Sequence, residues 1–134
     1  MPAKDKYHDV VIRALQKDGW IINDEQYILI TQKRLLWIDL LVSDVSDSRQ
    51  VLVEVKSFIS LSAVEDFANA IGKYLIYSAI LKDIDIDIEL YLAIPIVAYN
   101  TIFSEDIGQL VSNNLSLKIL IFDPVLEVIT EWIP

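Results

Sequence analysis

Three charged residues, Asp39, Glu54 and Lys56, stand inside two apolar stretches of the chain. Residues 36–42 and 51–56 otherwise consist mainly of the long apolar and β-branched side chains that are typical of strands. A charge buried in such a run destabilises the fold by several kcal/mol unless it is paired, hydrogen-bonded or bound to a metal. The pattern therefore predicts that the three side chains meet a common partner at one edge of a sheet.

Two carboxylates and an ammonium group at a shared sheet edge have the chemistry of a Mg²⁺-dependent phosphodiester cleavage site. Mg²⁺ prefers oxygen ligands, and we expect Asp39 and Glu54 to provide them together with the carbonyl oxygen of Val55. Bound Mg²⁺ (or Mn²⁺) lowers the pKa of water and neutralises charge on a phosphate. Lys56 is expected to steer the attacking water and to stabilise the developing oxyanion.

A structural interpretation of the same residues stays open. Glu54 and Lys56 are two residues apart, so in a strand they point to the same face, where a salt bridge would contribute about 0–1 kcal/mol. Asp39 by itself fits a charged residue at the solvent end of a strand. The catalytic interpretation rests on the combination of an acid in one strand with an acid and a lysine in the next.

The composition limits how the chain can meet nucleic acid. Its net charge of −9 argues against strong non-specific binding, because such binding comes from Lys and Arg side chains that neutralise phosphates. DNA therefore requires a local basic patch or a second subunit that supplies the positive field. The hydrophobic content of 54% predicts extensive burial or surface reserved for a partner, and for this reason we expect a homo-oligomer.

The 134 residues predict one domain over residues 1–134. The chain has no cysteine, which fits a reducing compartment. The first residues are charged and no apolar run follows them, so a secretory signal is not expected. No apolar stretch reaches the about 18 residues of a membrane helix. We expect a cytoplasmic protein without a membrane span.

The first half of the chain predicts a helix and three strands. An amphipathic helix is expected over residues 4–18, with Gly19 as its stop signal. The first strand is expected over residues 20–22 and 27–30, broken by a turn at residues 23–25. Residues 35–42 and 50–57 predict an antiparallel hairpin around a turn from Ser43 to Ser48.

The second half predicts a mixed sheet with helices on both faces. Ser62 and Glu65 have the spacing of a capping box, which opens a helix that runs to about Leu81. The apolar stripe expected to be buried on this helix comprises Val64, Phe67, Ala68, Ile71, Leu75 and Ser78 or Ala79. Further strands are expected over residues 88–95, 117–122 and 126–132, with one or two short helices over residues 97–112. A helix between the third and fourth strands implies a parallel crossover, so the fold class is α/β.

The spacing of Asp39, Glu54 and Lys56 resembles the motif of the PD-(D/E)xK nuclease superfamily, which includes restriction enzymes and Holliday-junction resolvases. Ile38 stands where that motif has proline. Longer segments resemble the XisH family, the fdxN element excision controlling factors of cyanobacteria, and the resemblance runs through the whole chain. The segments are Met1–Val11, Asp18–Trp20, Val53–Phe58, Ile107–Leu110 and Phe122–Pro124.

The resemblance implies a restriction-endonuclease-like fold and further site residues. In several relatives of the superfamily an acid of the first helix completes the metal site, which indicates His8 or Asp9 and less strongly Asp5. Related nucleases place Gln and Tyr on the helix after the lysine to contact phosphate, and Lys73 and Tyr77 occupy that place here. The alternatives are a solvated helix face for the first group and a core tyrosine beside a surface lysine for the second.

The XisH resemblance also implies a part in the excision of a DNA element during heterocyst differentiation, together with a recombinase and an XisI-type protein. Two main functions stay open, and a third, weaker one is a toxin-like nuclease that its partner restrains. The chain is a Mg²⁺-dependent DNA endonuclease, or it is a catalytically silent module with a nuclease fold that regulates the recombinase through contacts with the XisI-type partner.

Overall fold

A computed structural model describes residues 3–46 and 49–134, which form a six-stranded sheet and four helices. The strands are β1 (Trp20–Ile30), β2 (Leu35–Asp44), β3 (Gln50–Val55), β4 (Glu89–Pro95), β5 (Ile119–Asp123) and β6 (Val128–Ile133). The helices are α1 (His8–Lys17), α2 (Ala63–Asp83), α3 (Ile96–Asn100) and α4 (Asp106–Leu115). None of these helices is long and apolar enough to cross a membrane.

The sheet is mixed, as predicted, and its strands lie in chain order from β1 to β6. β1, β2 and β3 pair antiparallel, β3, β4 and β5 pair parallel, and β6 returns antiparallel to β5. Helix α2 connects the parallel strands β3 and β4, so the expected crossover is confirmed.

Helices cover both faces of the sheet. Val11 and Leu15 of α1 pack with Val53 of β3 in one buried cluster, and Phe67 of α2 packs with Leu52 in the other. Side chains alternate between the faces of a strand, so β3 sends its valines toward α1 and its even-numbered residues toward α2. This alternation places the side chain of Glu54 on the α2 face.

β1 is continuous, so the predicted turn at residues 23–25 is wrong. The pairing of β1 with β2 shifts register between Ile22 and Asp24, which accommodates Asn23 as a bulge. β1 lies at the edge of the sheet, where Asn23, Asp24 and Glu25 are exposed to solvent. Pairing with a long neighbouring strand therefore overrides the local preference of these residues for a turn.

The β2–β3 hairpin is confirmed, with different limits. β2 extends to Asp44, and β3 ends at Val55, so Lys56 begins the following loop. Asp47 and Ser48 of the predicted turn, and Met1 and Pro2 of the first family-like segment, lie outside the described residues.

The predicted signals at the ends of α1 and α2 are confirmed. Gly19 follows α1 with a φ of 89°, a left-handed conformation that glycine adopts readily. The Ser62 side-chain oxygen accepts a hydrogen bond of 3.1 Å from the Glu65 backbone N–H at the start of α2.

The predicted buried stripe of α2 is only partly right. Phe67 and Ile71 are buried, whereas Val64 and Leu75 are 53% and 42% exposed. Ala68 and Ala79 are exposed as well, and Ser78 is half-buried. The residues of α2 that are buried are Asp66, Phe67, Ala70, Ile71, Tyr74, Tyr77 and Leu81. Apolar side chains occur on both faces of this helix, so periodicity does not determine which face meets the sheet.

Candidate functional site

Asp39 and Glu54 meet where β2 and β3 part. The pairing of the two strands runs from Ser43 and Gln50 to Leu40 and Val53. One residue further along each strand, side-chain carboxylates replace backbone carbonyls as the hydrogen-bond acceptors. The Asp39 N–H donates to Glu54 Oε1 over 3.2 Å, and the Val55 N–H donates to Asp39 Oδ2 over 2.7 Å. These reciprocal bonds hold both acids at the point where β2 and β3 separate, which we call the fork.

The fork opens into a small cleft of about 140 Å³. The residues that line it are Ala3, Lys4, Asp5, Trp37, Asp39, Glu54, Val55, Lys56, Lys73 and Tyr77. The fold thus brings the three motif residues, the predicted carbonyl donor Val55 and both α2 residues into one cleft.

Burial dominates the electrostatics of the two acids. Burial, followed by repulsion from Asp39, raises the pKa of Glu54 to about 8, while Lys73 opposes the shift. Burial also raises the pKa of Asp39, against the hydrogen bond from Val55. Glu54 is buried and Asp39 beside it is half-buried, and two carboxylates this close repel each other when both are ionised. A proton or a cation must therefore accompany them.

Tyr77 remains a hydrogen-bond donor beside these acids. Burial, together with the negative charges of Glu54 and Asp39, raises the pKa of Tyr77 to about 12. Its hydroxyl group is therefore protonated at neutral pH and can donate a hydrogen bond to an oxygen atom in the cleft.

Lys56 and Lys73 of the cleft have different acidic partners. Lys73 Nζ lies 3.8 Å from Glu54 Oε2. Lys56 Nζ lies 3.6 Å from Oδ1 of Asp66, a buried acid in the first turn of α2, and Asp66 Oδ2 accepts a 3.1 Å hydrogen bond from the Ser60 N–H. The sequence patterns did not predict Asp66 as a site residue. The signal that could have indicated it is an acid in the first turn of the helix that follows Lys56.

The two first-helix candidates lie outside the residues that line the cleft. His8 is 1% exposed, and its Nε2 lies 2.9 Å from Glu25 Oε1. Asp9 is exposed, with Oδ1 4.0 Å from Lys4 Nζ. His8, Asp9 and Glu25 could together hold a metal ion. However, Lys4 Nζ also lies 3.8 Å from Glu25, so the chain supplies a cation of its own there.

Asp5 is the N-terminal acid that reaches the cleft. Its Oδ2 accepts a 3.0 Å hydrogen bond from the Ser57 N–H, just after Lys56, and its Oδ1 accepts a 2.9 Å bond from the Tyr7 N–H. These bonds tie the segment before α1 to the loop after β3. Asp5 therefore shapes one wall of the cleft.

The donor set suits a hard divalent cation. Asp39 Oδ2 and Glu54 Oε1 accept from the backbone, and Glu54 Oε2 lies 3.8 Å from Lys73 Nζ, a contact that a bound ion would replace. All candidate ligands are oxygen atoms, as Mg²⁺ and Mn²⁺ prefer. An ion bound there would replace the proton that the raised pKa of Glu54 implies, so the residues present fit the predicted cofactor.

The fold and the cleft define a mixed α/β protein with a buried glutamate, a half-buried aspartate and three lysines at the fork of adjacent strands. The chain belongs to the XisH family, because the model of that family, described as XisH protein, matches residues 1–130. This finding confirms the family resemblance of the sequence. No curated protein matches the chain.

Two solved structures share the whole fold. An fdxN element excision controlling factor protein from Anabaena variabilis is 33% identical with a TM-score of 0.88, and the match covers 96% of this chain and 98% of that one. An XisH family protein from Nostoc punctiforme PCC 73102 is also 33% identical with a TM-score of 0.89, and the match covers 97% and 100% of the two chains. The mixed α/β fold is thus common to these proteins.

Proposed function

We propose that the chain takes part in programmed excision of an fdxN-type DNA element and that the cleft is a Mg²⁺-dependent endonuclease site. Family membership and the solved fdxN element excision controlling factor support the first part. One observation carries the second part: the buried Glu54 lies beside the half-buried Asp39, with lysines and a tyrosine in the same cleft. The likeness of the motif to that of PD-(D/E)xK nucleases agrees with this chemistry.

Each residue has a role in this proposal. Oxygen atoms of Asp39, Glu54 and the Val55 carbonyl would hold the ion. When bound, the ion supplies charge neutralisation at the phosphate and a more acidic water. Lys56, anchored by Asp66, orients the water for attack.

The α2 residues hold the phosphate in this scheme. The Tyr77 hydroxyl donates a hydrogen bond to a phosphate oxygen. Lys73 lies 3.8 Å from Glu54 before the ion enters and turns to the phosphate afterwards. Asp5 keeps the N-terminal segment against the loop that carries Lys56.

Local charge supports DNA as the substrate in spite of the net charge of −9. Lys4, Lys56 and Lys73 line the same small cleft. Asp5, Asp39 and Glu54 line the cleft as well, so a bound divalent cation would leave the cleft with the net positive charge that an acidic chain needs in order to approach a phosphate backbone. An XisI-type partner would supply further positive surface.

DNA cleavage tests the proposal. With Mg²⁺ or Mn²⁺, the protein should cut plasmid or branched DNA, and both Glu54→Ala and Lys56→Ala should abolish cutting. Glu25→Ala removes an acid outside the cleft and serves as the matched control, which should stay active. Failure to cut a range of substrates, also in the presence of an XisI-type partner, would contradict the endonuclease role.

A second function is favoured by the acidic net charge and by the apolar side chains exposed on α2. In this alternative the chain is a catalytically silent module that regulates a recombinase through an XisI-type protein. Co-purification with that partner, together with normal excision of the element by a Glu54→Ala variant, would select this function over the first.

A further inference from the structure

The outward face of α2 is apolar although no part of the described chain covers it. Leu61, which precedes the helix, is fully exposed, and Val64, Leu75 and Ile76 are 53%, 42% and 54% exposed. Ala68 and Ala79 lie on the same side. The opposite side of the helix packs on the sheet. A 21-residue helix with apolar residues on both sides has a second surface to bury.

Gly72 lies in the middle of this outward face. A glycine inside a helix destabilises it relative to alanine. A Cβ atom at Gly72 would meet nothing within 4 Å, and its φ is not positive. At Gly108, by contrast, a Cβ would lie 2.2 Å from the Ile102 carbonyl oxygen. The fold of a single chain therefore requires glycine at position 108 but not at position 72. The missing side chain at Gly72 leaves space on the outward face of α2 that a side chain of another molecule can fill.

One antiparallel register matches α2 with itself. Placing Leu75 on the partner's Gly72 sets Ala68 opposite the partner's Ala79. The same register brings Glu65 near the partner's Lys82. Leu75 thus meets a glycine, the two alanines allow close approach and Glu65 meets a lysine, and a two-fold axis repeats each match.

From these observations we propose that α2 is the surface through which two copies of this chain associate, with the two helices antiparallel. Charge complementarity and size complementarity of the segment with itself select a second copy over an unlike protein. The proposal does not depend on catalysis. Lys73 and Tyr77 lie on the same helix, so the dimer would hold two clefts in a fixed relation.

The mass of the protein in solution tests the proposal. Light scattering over a range of protein concentrations should give the mass of a dimer for the wild type. Gly72→Leu should give a monomer with unchanged circular dichroism, because a single chain has open space at this position. Gln16→Leu adds the same side chain at an exposed position of α1 and should remain dimeric. A monomeric wild type, or a dimeric Gly72→Leu variant, would overturn the proposal.

Cross-linking tests the antiparallel register, because the chain has no cysteine of its own. Under oxidation, the Ala68→Cys and Ala79→Cys proteins should each stay uncross-linked when alone, and their mixture should form a disulfide-linked dimer. A dimer from the Ala68→Cys protein alone would mean parallel helices. Cross-linking in neither case, or a gain in mass only with an XisI-type protein, would show that a second copy does not occupy this face.

Discussion

Each face of the sheet buries an ionisable group, and the charged neighbours of the two groups differ. On the α1 face, His8 is buried against Glu25, whose side chain is 47% exposed, and Lys4 lies 3.8 Å from the same acid. On the α2 face, the buried Glu54 lies beside the half-buried Asp39, and Lys73, whose Nζ lies 3.8 Å from Glu54, is 53% exposed. At the first site a carboxylate and a lysine accompany the histidine, whereas the second site places two carboxyl groups together and requires a proton or an ion. The proximity of like charges, more than burial alone, thus distinguishes the candidate site.

The largest expected effect on stability is the pH dependence that Glu54 causes. Because the pKa of Glu54 rises from 4.5 to about 8 on folding, the folded state binds this proton more tightly than the unfolded state does. The free energy of unfolding should therefore fall as the pH rises from 4.5 to 8 and level off above that range. Glu54→Gln should remove this loss and stabilise the protein by roughly 3–5 kcal/mol at pH 9.

Urea denaturation of both proteins at pH 5, 7 and 9 measures this difference. Glu25→Gln serves as the control, since an acid that is half in water should change stability by less than about 1 kcal/mol. A Glu54→Gln variant that is no more stable than the wild type at pH 9 would show that Glu54 is ionised without penalty in the folded protein.

Removing His8 should destabilise the protein with little effect on metal binding in the cleft. His8→Ala leaves a cavity and removes the hydrogen bond to Glu25, so the free energy of unfolding should fall by about 2–3 kcal/mol. Affinity for Mn²⁺ should change little, because His8 does not line the cleft. Chemical denaturation and calorimetry measure the two quantities. A large loss of Mn²⁺ affinity would instead place the metal at His8, Asp9 and Glu25.

The pH dependence of Mn²⁺ binding is a second test of the difference between the two sites. An ion at the fork must displace the proton of Glu54, so the association constant for Mn²⁺ should rise about tenfold per pH unit below pH 8 and level off above it. Titration calorimetry in buffers of different ionisation enthalpy should detect about one proton released. Affinity that does not vary between pH 6 and 8 would argue against Glu54 as a ligand.

The smallest expected effect on stability concerns Asp66. Asp66→Asn can keep the hydrogen bond from Ser60 while it loses the ion pair with Lys56, whose side chain is 27% exposed, so stability should fall by less than about 1 kcal/mol. DNA cleavage should fall about tenfold, because Lys56 loses its anchor. Mn²⁺ affinity should stay the same, and Asp66→Glu should restore part of the rate. Equal rates of cleavage by the wild type and by Asp66→Asn would show that Asp66 does not position Lys56.

Part of the site could be predicted from local sequence. Asp39 and Glu54 sit in apolar strands joined by a short hairpin, so their convergence follows from pairing of neighbours. The spacing of Lys73 and Tyr77 on one helix places them on one side of it. Asp5 and Asp66 could not be assigned in this way, because each reaches its partner through packing between elements that no periodic pattern records.

The sequence by itself determined the mixed α/β fold, the order of its elements, the capping of α2 and the acids that could bind a cation, since these depend on short-range patterns and residue chemistry. Only the tertiary structure decided that β1 continues through residues 23–25, that α2 turns Val64 and Leu75 outward, and that His8 pairs with Glu25. The physical reason is the same in each case. Local preferences were weak or balanced between alternatives, and packing against distant segments made the choice.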